Sequence, residues 1–374
     1  DEMKRECWLL VGFFGIAGCA APTLDLPAVD QPRVKEETRN QRIAIVKDAY
    51  REQLRLNRIS HRLGRAAKEL CRGREVNQLG AYFSDWDDRA SEWLELAIEA
   101  THINLHEHGI EVVDVLENSA ASRAGLKVGD HIIRIDGAQL PRGKGAMRMF
   151  RKNIEQLRTG NAARLTLRIR REEEFLNATI TAEKACEFPA ALTNSRALNA
   201  FTDGEVIYFN RGLARFTEND DELASILAHE MAHITLGHVD ARRQNAGSGA
   251  AVGAIVDIML MSVVPGYAQA IQMGHPGVFT QMGAEIGASQ FSSSFEAEAD
   301  YIAIYLMARA GYKLATAPNL WRRLAIVRPE STEKEPMASH PTAPERFVLL
   351  DRTVREISEK LKRGDPLVPD FPKR

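Results

Sequence analysis

The segment His229-Glu230-Met231-Ala232-His233 constrains this chain more than anything else in it. Residues four apart on an α-helix share a face, so both imidazoles can reach one metal ion. Glu230 is turned about 100° from His229, which sets its carboxylate beside that ion and not on it. The arrangement needs a rigid helix, and the flanks supply one. Asn219 is a good N-cap, Asp220, Asp221 and Glu222 give an acidic first turn, and Gly237 marks a stop. Leu223, Ile226, Leu227 and Ile234 recur at helical spacing and predict an apolar stripe against a core. With ten histidines in 374 residues, such a motif arises by chance in roughly 2% of chains. The helical context argues against chance.

A second acidic cluster, Glu296-Ala297-Glu298-Ala299-Asp300, follows a run of serines that can cap its helix. Glu296 and Asp300 are four apart and share a face, so one can ligate the ion while the other supports a ligand. Spacing does not say which does which, and it turns Glu298 elsewhere. An acidic first turn favoured by the helix dipole is the plain alternative. Two His ligands, a Glu beside a water and a distant acidic third ligand are the parts of a zinc peptidase holding one Zn²⁺ per chain.

Several separated stretches resemble the HtpX/Oma-type gluzincin metallopeptidases. They are Asn199-Ala200-Phe201, Val206-Ile207-Tyr208-Phe209, Arg211-Gly212-Leu213, the His229–His233 motif and the Glu296–Asp300 cluster. The resemblance spans roughly residues 190–355, with Ser294-Phe295 standing where members often have Ser-Arg. It implies that Glu296 is the third zinc ligand and that Asp300 supports a ligating His. Ser339-His340-Pro341 and Glu345-Arg346 also resemble a family segment near the active site. His340 and Arg346 are therefore candidates to stabilise the oxyanion, and His340 alternatively to fill the open zinc position and hold the enzyme off. His238, past the end of the motif helix, reads as structural.

The N-terminus carries a basic Met3-Lys4-Arg5, an apolar run from Trp8 to Ile16, and Ile16-Ala17-Gly18-Cys19. That is the layout of a secretory signal, and its end resembles a bacterial lipobox in which Cys19 is lipidated. The apolar run is short for a membrane span. By resemblance to such lipoproteins, Ala20 after the Cys implies the outer membrane, with the chain anchored through its lipid and facing the periplasm. In that oxidising compartment Cys71 and Cys186 are a candidate disulfide, with two free buried thiols as the alternative. Charge is balanced, 49 basic against 51 acidic residues, which argues against a nucleic-acid partner.

The expected architecture is α+β: a mainly helical zincin-type peptidase domain with a small sheet, preceded by a helical segment and a PDZ-like β-rich domain. The expected boundaries are a signal over 1–19, a tether over 20–38, a helical region over 39–104, the PDZ-like domain over 105–185, the peptidase over 190–360 and a tail over 361–374. The PDZ-like reading rests on strand signals at Ile110–Val115 and His131–Ile135, a turn Ala124-Gly125-Leu126…Gly129-Asp130, a helix near Met147–Leu157 and alternation over Leu165–Arg170. Just before Ile110 no carboxylate-binding loop is legible. The histidines at 102, 106 and 108 read as an exposed loop. Gly247 to Tyr267 is nearly continuous apolar and small residues broken by Asp257, which predicts a core or interface helix followed by a mobile lid.

Together these features predict an endopeptidase for unfolded or misassembled envelope proteins, with protein or peptide substrates and Glu230 as general base. The competing expectation is a membrane-anchored assembly factor or chaperone that works through the PDZ-like domain and keeps a latent peptidase site.

Overall fold

The structure is a computed structural model that describes residues 29–71, 73–84, 99, 110–141, 144–161, 163–263, 277–289, 292–327 and 344–370. The signal segment with Cys19, the three loop histidines, His340 and residues 268–276 of the expected lid lie outside the described residues, and the rest of that lid stretch is the helix Val278–Ser289. In chain order the elements are α1 (Gln31–Ala66), β1 (Glu75–Gln78), β2 (Ala81–Ser84), β3 (Ile110–Val115), α2 (Ala120–Arg123), β4 (His131–Ile135), β5 (Ala138–Gln139) and α3 (Lys144–Thr159). Then come β6 (Arg164–Arg171), β7 (Glu174–Thr181), β8 (Glu183–Cys186), β9 (Ala190–Thr193), β10 (Ala200–Thr202), β11 (Ile207–Asn210) and α4 (Arg211–Phe216). The last elements are α5 (Asp220–Leu236), α6 (His238–Val263), α7 (Val278–Ser289), α8 (Ser292–Arg309), α9 (Thr316–Val327) and α10 (Pro344–Arg363). Residues 1–42 and 43–374 form two compact units, and everything from β1 onward belongs to the second.

The first sheet runs β2-β3-β4-β6-β7, antiparallel throughout, with β5 paired to β4. Alternation puts Leu165, Leu167 and Ile169 of β6 into a core with Ile110, Val112, Ile135 and Phe150. Ser119 caps α2 by accepting from the Ser122 N–H, and Asp136 and Gly137 take positive φ in the turn after β4. The fully buried Asp130 is gripped by Arg171 through Nε at 2.7 Å and Nη2 at 2.8 Å. The sheet begins earlier than the expected start at 105. One edge strand is β2, preceded by Leu79-Gly80, so a loop leading into this sheet lies ahead of Ala81 and not just before Ile110. A cavity of about 280 Å³ runs beside β2, lined by Leu79, Tyr82, Phe83, Ile154, Leu157 and Phe188.

Two acids on β3 point inward. Asp114 meets Arg58 at 3.3 Å, whereas Glu111 Oε2 is buried with no hydrogen-bond partner among the described residues. Burial pushes the Glu111 carboxyl up to about 7. The folded state then binds more protons than the unfolded one between the ordinary carboxylate value and that value, so stability falls as pH rises through this window. Glu111→Gln is expected to stabilise the protein by on the order of 1 kcal/mol at pH 8, allowing for solvent screening, and to change little at pH 4. Urea unfolding at the two pH values checks this; an equal effect at both contradicts it.

The structure joins Cys71 to Cys186 across a sequence separation of 115 residues, tying the end of α1 to the end of β8. β1 pairs β8 beside the bond, and the Ser60 hydroxyl donates to the Phe188 carbonyl. A cross-link over so long a loop restricts the unfolded chain, so its loss should cost about 2–4 kcal/mol. A lower urea midpoint for Cys71→Ser/Cys186→Ser would show this, and an unchanged midpoint would refute it.

The peptidase region has a three-stranded sheet in the order β10-β11-β9, antiparallel on one side of β11 and parallel on the other. Residues 222–234 of α5 are buried on every face, where the sequence predicted one apolar stripe. The reason is enclosure: α8, α9, β10 and β11 all pack on this helix. Its ends follow the sequence signals, with Asn219 Oδ1 accepting from Glu222 N at 3.0 Å and Gly237 at φ 72°.

Antiparallel α6 and α7 pack closely through small residues. A Cβ on Gly249 would fall 2.0 Å from the Gly283 carbonyl oxygen, and one on Gly253 would fall 1.8 Å from that of Phe279. The buried Asp257 accepts from the N–H groups of Phe279 at 3.1 Å and Thr280 at 2.7 Å, capping α7. Val252, Ile255, Ile258, Met282 and Ile286 are exposed, so of the core or interface helix expected, the core alternative does not hold. Among the described residues no helix is long and apolar enough to cross a membrane.

Candidate metal centre

α5 and α8 cross with the two sequence motifs face to face. His229 Nε2 and His233 Nε2 stand 3.1 Å apart, and the Glu296 carboxylate reaches them at 3.2 Å and 3.3 Å. These three residues are the one group among the described residues whose ligand atoms converge as a cation site requires, within 4.8 Å of one another. All three are buried. Two imidazole nitrogens and a carboxylate oxygen form a donor set that suits Zn²⁺.

The surrounding charges hold these donors in place. Asp300, one turn after Glu296 on α8, lies 2.9 Å from His229 Nδ1 and so leaves Nε2 to face the other donors. Arg346 from α10 donates to Asp300 through Nε at 2.8 Å and Nη2 at 2.9 Å, and its Nη1 lies 3.2 Å from Glu296 Oε2. Trp321 of α9 packs against both His229 and Arg346, with the guanidinium 4.9 Å from a Trp321 ring centroid. Burial opposes every charge here, and the neighbours outweigh it. Asp300 is held below its ordinary value by Arg346 and His229, while Glu296 and Asp300 raise His229 to about 10.

Arg346 was expected at the oxyanion. Its fork is instead engaged with Glu296 and Asp300, so the geometry makes it a positioning group behind the donors. Glu230 is buried and lines a cavity of about 300 Å³ with His233, Phe201, Thr202, His238 and Arg242. Phe201 and Thr202 belong to β10, which is an edge strand among the described residues. Sequence favoured Val206–Phe209 as the strand to receive a substrate, but β11 is hydrogen-bonded on both sides.

Sequence reasoning also missed two partners. His238 is almost fully buried as the first residue of α6, its Nδ1 3.0 Å from His233 Nδ1 and its Nε2 3.2 Å from Glu298 Oε2. Its ring stacks on Phe295 at 4.6 Å, the residue that departs from the family pattern. Burial holds the His238 imidazole below its ordinary value, although Glu298 acts the other way. The signal was present in the five-residue step from His233 across the Gly237 cap, which turns the chain back toward the motif helix.

Comparison with known proteins agrees with this geometry. The model of peptidase family M48 matches residues 166–354, and that of a PDZ domain matches residues 78–181. The two matches overlap on β6 and β7, which the structure places in the first sheet. The chain is 34% identical over 161 residues to the beta-barrel assembly-enhancing protease of Yersinia pestis, covering 42% of this chain and 32% of that protein. The Escherichia coli K12 protein of the same name is 29% identical over the same shares of both chains. The mitochondrial metalloendopeptidase OMA1 of Arabidopsis thaliana is 26% identical over 48% of this chain and 34% of its own length. The chain thus spans about a third of the length of these curated relatives. With two buried histidines and a glutamate converging at the crossing of α5 and α8, and the family match running across both helices, the protein belongs to peptidase family M48 and carries a PDZ domain.

Proposed function

We propose that the protein is a zinc-dependent endopeptidase for unfolded or misassembled envelope proteins. The observation that carries this reading is the convergence of His229, His233 and Glu296 beside the Glu230-lined cavity. These three residues would hold one zinc ion, which when bound polarises a scissile carbonyl and acidifies a water. Glu230 takes the proton of the attacking water and returns it to the leaving amine. Asp300 and Arg346 keep His229 and Glu296 oriented. An extended substrate segment adds to the free edge of β10 beside Phe201 and Thr202, which recognises backbone more than side chains and favours chains that have lost their fold.

The Yersinia and Escherichia relatives, both beta-barrel assembly-enhancing proteases, support the envelope as the place of action, and the lipobox-like ending at Cys19 supports anchoring to a periplasmic membrane surface, that of the outer membrane. Casein cleavage by the chain from Ala20 onward should stop on chelation and return when zinc is restored. Cleavage indifferent to chelation would overturn the reading. A second reading, an assembly factor or chaperone working through the PDZ domain, draws on the cavity beside β2. It differs in expecting cells to tolerate Glu230→Gln.

A further inference from the structure

We infer that His238 and Glu298 form a relay that fixes the tautomer of His233 and so aims its Nε2 lone pair at the metal. The inference rests on the reading that His229, His233 and Glu296 hold the ion. It starts from two nitrogens: His233 Nδ1 and His238 Nδ1 are 3.0 Å apart and buried, so a hydrogen bond between them needs one donor and one acceptor. A neutral imidazole carries its proton on one nitrogen alone. If His238 holds its proton on Nδ1, His233 must accept there, and the proton of His233 moves to Nε2. That proton then points at His229 Nε2 and Glu296, where the cation belongs.

The opposite arrangement leaves the ligand atom free. His233 donates from Nδ1 to His238 Nδ1, and His238 donates from Nε2 to Glu298 Oε2 at 3.2 Å. Glu298 accepts and cannot donate when ionised, so it selects this arrangement. The two histidine ligands are thus set in different ways. Asp300 orients His229 directly at 2.9 Å, whereas Glu298 acts on His233 through an intervening ring held by its stack on Phe295. Glu298 is half-exposed, which puts the outer end of the relay at the protein surface.

The sequence of α8 explains why one helix can serve both ligands. Glu296 and Asp300 share one face, while Glu298, offset by about 200° from Glu296, turns toward the start of α6. His238 and Glu298 are therefore positioning residues, and they act on metal affinity before they act on turnover.

The test uses the full chain from Ala20, with zinc alone as the probe in competition with a chromophoric chelator. His238→Leu should weaken zinc binding about 10–100-fold, the range seen when partners of metal-bound histidines are lost. His238→Asn keeps an acceptor near the Nδ1 position and should stay within about threefold of wild type. Glu298→Leu should lose affinity in the same direction but by less. Nitrogen-15 NMR of the zinc-loaded wild type should show His233 protonated at Nδ1. Thermal unfolding of each chelated variant separates a lost relay from a lost fold. Wild-type affinity in His238→Leu, equal losses in the Leu and Asn variants, or an unprotonated His233 Nδ1 would each overturn the relay. A wild type that holds no zinc is a distinct result that removes the metal reading and the relay with it.

Discussion

Glu230→Gln is expected to bind zinc as wild type does and to lose casein cleavage by about 10²–10⁴-fold, the contribution of a general base. The substitution keeps the size and polarity of a buried side chain that lines the cavity next to His233. It removes only the capacity to take a proton. The loss should fall on kcat with KM little changed, because the proposed role of Glu230 is on the reacting water and not on the extended substrate proposed to lie along β10. Gln retaining more than about a tenth of wild-type kcat would mean that another group serves as base.

Arg346→Met should produce the largest effect on stability. The guanidinium is buried between Asp300 and Glu296, and its loss leaves two buried carboxylates without their cation. Breaking such a pair typically costs about 3–5 kcal/mol. Zinc held at the proposed site would supply positive charge on the same carboxylate cluster, so the deficit should be greatest with chelator and should shrink with excess zinc. Urea unfolding under both conditions measures this. A deficit below about 1 kcal/mol with chelator would show that the arginine is not a counter-charge for these acids. An oxyanion role would instead leave stability nearly intact and depress turnover alone.

Much of this protein is legible from local chemistry. Asn219 and Gly237 mark the ends of the motif helix because a cap and a left-handed stop are decided by adjacent residues. The strands Ile110–Val115 and His131–Ile135 follow from their β-branched residues and from the turn glycines between them. The convergence of His229 with Glu296 is not in the periodicity of either helix: ligand chemistry pairs the motif with the acidic cluster, and only the family resemblance picks Glu296 over Asp300 as the ligand.

What escaped the sequence depends on which elements meet. The full burial of α5 comes from helices and strands that arrive on all sides, and its own pattern shows one stripe. β11 looks like a strand ready for a substrate until β9 and β10 are seen to flank it. Glu298 reads only as turned away from Glu296 and Asp300 until His238 folds back across Gly237 to meet it. Arg346 lies 46 residues beyond Asp300, and nothing local announces that its guanidinium grips that carboxylate. Asp257 looked like a defect in an apolar helix, and it caps the next one.

The most direct test is zinc K-edge X-ray absorption on the purified chain, with bound zinc quantified in the same sample. The account predicts one zinc per chain, coordinated by two imidazoles and a carboxylate oxygen, with one imidazole signal lost in His233→Ala. Sub-stoichiometric zinc, or a coordination shell unchanged by His233→Ala, would contradict it.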